Sequence, residues 1–254
     1  MEQQAFFREN PRVALAFSGG VDSSYLLHAG LHYGAEIRPY YVKTAFQPQS
    51  ELDGALRFAA RLGTTVTVVH HDILSVPNVA TNPADRCYYC KSALFGLLRK
   101  QAAADGYSML IDGANASDEA GDRPGMRALC ELSVRSPLRE CGITKSEVRR
   151  LAKEAGLSNW DKPAYACLAT RVPTGVPITA ELLARVERAE DALFEMGFTD
   201  FRVRLLGEAA RLELAPAQMH AALILREAIA KALTPDFSAV LLDMAGRQSK
   251  EKQK

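Results

Sequence analysis

The feature that most limits this chain is the junction at residues 13–24, where VALAF runs directly into SGGVDSS. Five consecutive apolar residues suit a strand covered on both faces, as in a parallel sheet. Two glycines, three serines and one carboxylate then lead into a helical pattern expected over about residues 22–33 and ended by Gly34. At such a turn the free backbone N–H groups and the helix dipole attract an anion, and glycine lets the backbone approach it closely. Further strands are expected at EIRPYYV (36–42), where Pro39 argues against the assignment, and at TTVTVVH (64–70) and MLIDGA (109–114). Helices are expected between them. Ser50 with Asp53 would open one that Gly63 closes, another follows CYYCK over about 91–104, and the Thr144/Glu147 capping box opens a third that Gly156 stops. Strands alternating with helices predict an α/β fold with a doubly wound, mostly parallel sheet.

The pattern changes after the Pro- and Gly-punctuated stretch at residues 163–177. We expect a first domain over 1–172, a smaller α+β domain over 173–246 and a disordered polar tail over 247–254. In the smaller domain a helix at 180–196 would bury Leu182, Val186, Ala189 and Leu193. Residues 201–214 read as two strands turning near Gly207, followed by a helix near 219–233 and a strand at 238–244.

A net charge of +1 gives no global attraction to nucleic acid or membrane, so an anion site must be local. No apolar run approaches the ~20 residues of a membrane span. The N-terminal residues lack the basic start and long apolar core of a signal peptide, which predicts a cytoplasmic protein. Five cysteines then read as core residues, metal ligands or reactive thiols rather than a disulfide framework.

The loop candidates are Ser18, Gly19, Gly20, Asp22, Ser23 and Ser24, with Asp22 suited to Mg²⁺. Read blandly, they form a glycine turn with a serine-capped helix. A second candidate segment, Asp112, Gly113, Asn115 and Asp118, starts at a strand's C-terminal end, where doubly wound folds bind ligands; alone, it is an acidic surface loop. The common phosphate loop carries a lysine, and this one does not.

The string SGGVDSS resembles the signature of the PP-loop ATP pyrophosphatases. That resemblance implies a loop gripping the β- and γ-phosphates of ATP as departing pyrophosphate while AMP is attached to a substrate oxygen. Asp112, Gly113, Asn115 and Asp118 resemble its second nucleotide-contacting segment.

NPADRCYYCK (82–91), WDKPAYACLATRVP (160–173) and FRVR (201–204), together with the loop, resemble the LarE family of ATP-dependent sulfur transferases. The resemblance covers nearly the whole chain and implies a pyridinium mononucleotide substrate whose carboxylate becomes a thiocarboxylate in nickel-pincer cofactor synthesis. An acyl-adenylate is a good electrophile, and a thiolate can attack it to give a thioester. The resemblance assigns that attack to Cys167 in members that sacrifice their own sulfur. Cys87 and Cys90 form a C-x-x-C pair whose spacing suits redox chemistry, zinc or a cluster. With Cys167 they give three thiolates, enough for a [4Fe–4S] cluster with one open iron to carry sulfide. Otherwise Cys87 and Cys90 are helix-start thiols without a ligand. Cys130 and Cys141 read as small core residues.

Lys91, placed at a helix start against the dipole, is a candidate phosphate contact, as the family pattern implies; its plain alternative is a solvated lysine. Arg171 is a further candidate anion contact. Arg202 and Arg204 would share one strand face and bind the substrate phosphate, or else pair with Glu213 on a charged outer face. Glu187, Glu190 and Asp191 share a helix face, and Glu190 is a candidate for a second cation. A homo-oligomer is expected by resemblance alone.

Three rivals stand beside this reading. An amide-forming synthetase using ammonia would not need Cys87, Cys90 and Cys167. A tRNA-thiolating enzyme would need an RNA-binding extension that is not evident. A nucleotide-binding regulator or sulfur-storage partner would show no carboxylate-dependent exchange between ATP and pyrophosphate.

Overall fold

The apolar run forms β1 (Arg12–Ala16), whose Val13, Ala14 and Leu15 are fully buried. Val13 and Leu15 enter one core with Leu26 and Phe58, while Ala14 enters another with Tyr40 and Leu98. Burial on both faces is what an uninterrupted apolar run requires of a strand. The chain is described from a computed structural model over residues 2–118 and 124–247. Most of the expected tail at 247–254, and residues 119–123 after the second candidate segment, lie outside the described residues.

β1 lies between β2 (Glu36–Lys43) and β4 (Leu110–Ile111), and β3 (Thr67–His70) pairs on the far side of β2. All these pairings are parallel and the order is β3-β2-β1-β4. Strand order therefore reverses at β1, between β2 and β4, the switch point outside which open α/β sheets bind ligands. The helices of this part are α1 (Gln3–Glu9), α2 (Val21–His32), α3 (Gln49–Arg61), α4 (Pro77–Ala80), α5 (Arg86–Ala104), α6 (Pro124–Glu131), α7 (Pro137–Glu140) and α8 (Lys145–Glu154).

Several expected boundaries move. Helix α3 begins at Gln49 with Pro48 as its N-cap, so Ser50 opens nothing; Gln49 Nε2 instead donates to Asp53 Oδ1 at 2.8 Å. Helix α5 begins at Arg86, five residues earlier than expected. Cys87 therefore sits in its first turn, and Cys90 and Lys91 at the start of its second. The Thr144/Glu147 capping box is present in full. Cys130 is exposed rather than a core residue, and Cys141 is half-buried.

The chain divides into two compact units, Met1–Val79 with Pro83–Tyr165, and Ala80–Asn82 with Ala166–Lys254. In the second, α9 (Ala180–Glu195) precedes the hairpin of β5 (Arg202–Leu206) and β6 (Ala209–Glu213). Gly207 takes positive φ (59°) at the tight turn between them. Leu183, not Leu182, joins Val186, Ala189 and Leu193 on the buried face of α9. The expected helix near 219–233 breaks at Leu225 into α10 (Met219–Ile224) and α11 (Arg226–Leu233). Strand β7 (Val240–Leu242) then joins β6 in parallel. Residues 80–82 belong to this unit through hydrogen bonds. Ile178 N–H donates to Ala80 O at 2.7 Å, and Gly175 N–H to Asn82 O at 2.9 Å. The buried Asn82 amide donates to the carbonyls of Pro173 and Val176.

Candidate functional site

The turn between β1 and α2 is shaped by two contacts that leave no room for side chains. Gly19 has φ +73°, and a Cβ there would lie 2.8 Å from Ala55 Cβ. Gly113, just past β4, faces the start of α2 so closely that a Cβ would lie 2.9 Å from Ser23 N and 3.2 Å from Asp22 C. The two segments singled out from sequence thus meet, backbone against backbone, at the switch point.

Ser18 and Ser23 share a hydrogen bond between hydroxyls at 3.2 Å, and Ser23 Oγ also accepts from Ser18 N–H at 3.3 Å. Among the described residues no side chain caps α2 at Gly20, so its first-turn N–H groups remain directed at the turn. The buried Ser24 hydroxyl accepts from Asn159 Nδ2 at 2.8 Å, and the same amide donates to Gly19 O at 3.3 Å.

Asp22 Oδ1 accepts from Asn115 Nδ2 at 3.2 Å, while Lys145 Nζ donates to Asp22 Oδ2. Asn115 N–H donates to Asp118 Oδ2 at 2.9 Å, which folds the second segment on itself. Asp112 is buried, which pushes its carboxyl above the usual carboxylate range. The Ser136 hydroxyl, donating at 2.6 Å, the Ala114 N–H and the charge of Lys91 partly oppose that rise. Lys91 also lies along Gly125, where a Cβ would come within 3.0 Å of its Cδ. The first unit therefore brings Lys91 within electrostatic reach of Asp112 in the second candidate segment.

A cleft of about 180 Å³ opens beside this turn, bounded by Ser18, Gly20, Asp22, Glu51, Lys145 and Lys162. Lys162 Nζ pairs with Glu51 at 2.9 Å. Sequence reading passed over Lys145, Lys162, Asn159 and Glu51. A signal existed for Lys145, which follows the Thr144 cap and so sets a cation against the helix dipole. A shallower hollow of about 460 Å³ lies at the C-terminal ends of β2 and β3, lined by Lys43, Thr44, His70, His71 and Asp72.

The other candidates lie as follows. Cys87 is exposed and Cys90 half-buried, three residues apart on one face of α5. Cys167 belongs to the second unit, where it precedes a short 3₁₀ turn, Leu168–Arg171. Arg171 is fully buried. Its guanidinium meets Glu190 with both oxygens engaged, at 2.8 and 3.0 Å, and donates to the carbonyls of Ala166 and Cys167. Glu190, considered for a second cation, has its carboxylate on Arg171 and on the Val203 N–H, which donates at 3.0 Å. Arg202 is buried and donates to Phe201 O at 2.6 Å. The half-buried Arg204 pairs with Glu213 at 2.6 Å and donates to Thr170 O. Asp191 is raised by burial and by the carboxylates of Glu187, Glu190 and Glu195. Among the described residues no three of His, Cys, Asp and Glu gather as a metal-binding group.

No protein-family model matches the chain. The pyridinium-3,5-bisthiocarboxylic acid mononucleotide synthase of Lactiplantibacillus plantarum is 34% identical to it over 248 residues, covering 96% of this chain and 90% of that protein. The chain belongs to the LarE family. Two further relatives extend the LarE comparison. An uncharacterized protein of Synechocystis sp. is 40% identical over 250 residues, 96% of this chain and 92% of its own length. Another, from Methanocaldococcus jannaschii, is 30% identical over 206 residues, 81% of this chain and 79% of its own. No helix among the described residues is long and apolar enough to cross a membrane.

Proposed function

We propose that this LarE-family chain uses ATP to adenylate a carboxylate of a pyridinium mononucleotide, releases pyrophosphate and converts the carboxylate to a thiocarboxylate. The observation that carries this reading is the turn at Ser18–Ser24. It offers uncapped helix N–H groups and serine hydroxyls to phosphates at the switch point, and it has a carboxylate where a γ-phosphate-transferring loop has lysine. The similarity to the L. plantarum pyridinium-3,5-bisthiocarboxylic acid mononucleotide synthase suggests the substrate class.

In this reading the loop holds the β- and γ-phosphates and the hollow beyond β2 and β3 receives the nucleoside. Asp112, Gly113, Asn115 and Asp118 border the nucleotide from the β4 side, and Lys91 adds positive charge. Asp22 fits a hard cation: its carboxylate oxygens face the cleft, and Mg²⁺ held there would offset phosphate charge. The substrate carboxylate attacks the α-phosphorus and pyrophosphate departs. Sulfide then adds to the acyl carbonyl and AMP leaves, giving the thiocarboxylate. Arg204 and Arg202 take the substrate phosphate, supported by the partial exposure of Arg204. Arg171 with Glu190 holds the Cys167 segment in place, supported by the carbonyl contacts of its guanidinium.

For the sulfur source we favour a [4Fe–4S] cluster on Cys87, Cys90 and Cys167. The donor chemistry fits: soft thiolates, two of them on one face of α5 next to its N-terminal N–H groups. When bound, such a cluster would supply an open iron site for sulfide. A homo-oligomer through the second unit is supported by its exposed Leu223, Ile224, Leu206 and Met244.

The test gives the anaerobically purified protein Mg²⁺, ATP and a pyridinium carboxylate mononucleotide. The expected result is carboxylate-dependent ATP–pyrophosphate exchange with AMP as co-product. Release of ADP and orthophosphate would overturn the reading. Iron and acid-labile sulfide lost in Cys87→Ala support the cluster. An iron-free active protein that loses about 34 Da at one turnover would instead identify Cys167 as the sulfur source, by conversion to dehydroalanine.

A further inference from the structure

The turn at Ser18–Ser24 has no lysine of its own, yet the fold delivers one from 123 positions away. Lys145 is the first residue of α8, and the reciprocal Thr144/Glu147 hydrogen bonds fix the turn that carries it. Its ammonium reaches Asp22, and both side chains are about three-quarters buried, at 24% and 23% exposed. Both also line the cleft beside Ser18 and Gly20. Asp22 is the carboxylate suited to Mg²⁺ and Lys145 is the cation suited to phosphate, but each occupies the other. Lysine has a flexible stem and three donors, so it can exchange one anionic partner for another without moving backbone.

We propose that the Asp22–Lys145 pair is a metal-dependent latch. Mg²⁺ entering with the triphosphate takes the Asp22 carboxylate, and the freed Lys145 ammonium transfers to the β- and γ-phosphate oxygens. No covalent bond changes; ion pairs are exchanged. The ligand class selected is a metal-loaded nucleoside triphosphate. A bare triphosphate meets a lysine already neutralised and, if it displaces that lysine, an unpaired carboxylate. This inference rests on the reading of the loop as an ATP site and adds the order in which its charges are used. It also explains a cation at the first position of α8, where the dipole disfavours one.

Calorimetric titration of the full chain with ATP, without carboxylate substrate, tests the latch through binding alone. The chain is titrated with ATP plus Mg²⁺ and with ATP plus a chelator, as wild type, Lys145→Met, Asp22→Asn and the double variant. Loss of a charge-assisted contact predicts that Lys145→Met weakens Mg·ATP binding by about 10- to 100-fold. Against bare ATP, Asp22→Asn, which frees the lysine without leaving a carboxylate, is expected to bind about 10-fold more tightly than wild type, and adding Lys145→Met removes that gain. An Asp22→Asn variant that binds bare ATP no more tightly than wild type, or whose gain survives Lys145→Met, would overturn the latch and leave Lys145 as a general electrostatic contact. No loss in any arm would overturn it and leave a structural pair. Lys145→Arg, which keeps the charge, is expected to recover most of the Mg·ATP affinity, and its thermal melt separates misfolding from lost binding. If the wild type binds ATP under neither condition, the ATP site itself fails, an outcome distinct from failure of the latch.

Discussion

Replacing Arg171 by Met should destabilise the second unit severely, and the structure sets the size of the effect. The side chains of Arg171 and Glu190 are 0% and 2% exposed. The guanidinium donates to both Glu190 oxygens, to Ala166 O at 2.7 Å, to Cys167 O at 3.2 Å and to Thr170 Oγ1 at 3.0 Å. Methionine fills much of the volume but leaves the Glu190 carboxylate buried without its cation. Breaking a buried pair from one side costs about 3–5 kcal/mol. Removing both charges, as Arg171→Met with Glu190→Leu, relieves the stranded carboxylate. The remaining loss is chiefly the Val203 N–H, which donates to Glu190 at 3.0 Å, and the Ala166 carbonyl, which accepts from Arg171; leaving either unsatisfied costs about 1–3 kcal/mol, and the Ala166 loss is common to both variants. The double variant should therefore be more stable than the single one. Equilibrium urea denaturation followed by far-ultraviolet circular dichroism measures both. A single variant that loses less than about 1 kcal/mol, or a double variant no better than the single, would refute the reasoning.

Three further outcomes are expected. Gly113→Ala must push a methyl against Ser23 N and Asp22 C, at 2.9 and 3.2 Å, and both are backbone atoms. An overpacking cost of about 1–3 kcal/mol at the start of α2 should weaken Mg·ATP binding by about tenfold or more while circular dichroism stays native. Asn159→Ala removes the donor to Ser24 Oγ and Gly19 O, and a loss of about 1 kcal/mol should appear as a few-fold rise in the ATP dissociation constant. Asp112→Asn tests a pH dependence. Burial raises the folded carboxyl above its unfolded value, so the folded state favours the protonated form. That contribution is fully present below the ordinary carboxylate range and is lost as pH rises through the folded value. Asparagine cannot ionise, so denaturation across pH should show the variant gaining on wild type as pH climbs from acid to neutral. A difference independent of pH would contradict this.

The strand, turn and helix at residues 12–32 were readable because their signals are local. An apolar run, two glycines and a serine cluster specify strand, turn and helix within a dozen residues, and the Thr144/Glu147 box lies within one helical turn. The hairpin was equally readable, since alternating apolar positions flank Gly207. What escaped was set by distant partners. Lys145 meets Asp22 and Lys162 meets Glu51 only after parallel strands have been joined through long crossovers. The burial of Arg171 depends on Glu190 from α9 and on carbonyls of its own turn, and nothing in the string ATR shows that. The start of α5 at Arg86 carries no local cap signal, since Asp85 makes no side-chain cap hydrogen bond. The helix nevertheless takes in both cysteines, Cys87 in its first turn and Cys90 at the start of its second.

The three residues Ala80–Asn82 have a practical consequence for anyone dissecting this protein. They come from the middle of the first half of the chain, yet they complete the C-terminal unit, with Asn82 accepting from Gly175 and donating to Pro173 and Val176. A recombinant fragment begun at Ala166 would leave those backbone groups, and the Ile178 N–H, without their acceptors and donors. Such a fragment should express poorly by itself, and a separately added peptide spanning residues 77–85 is the reagent that would restore it.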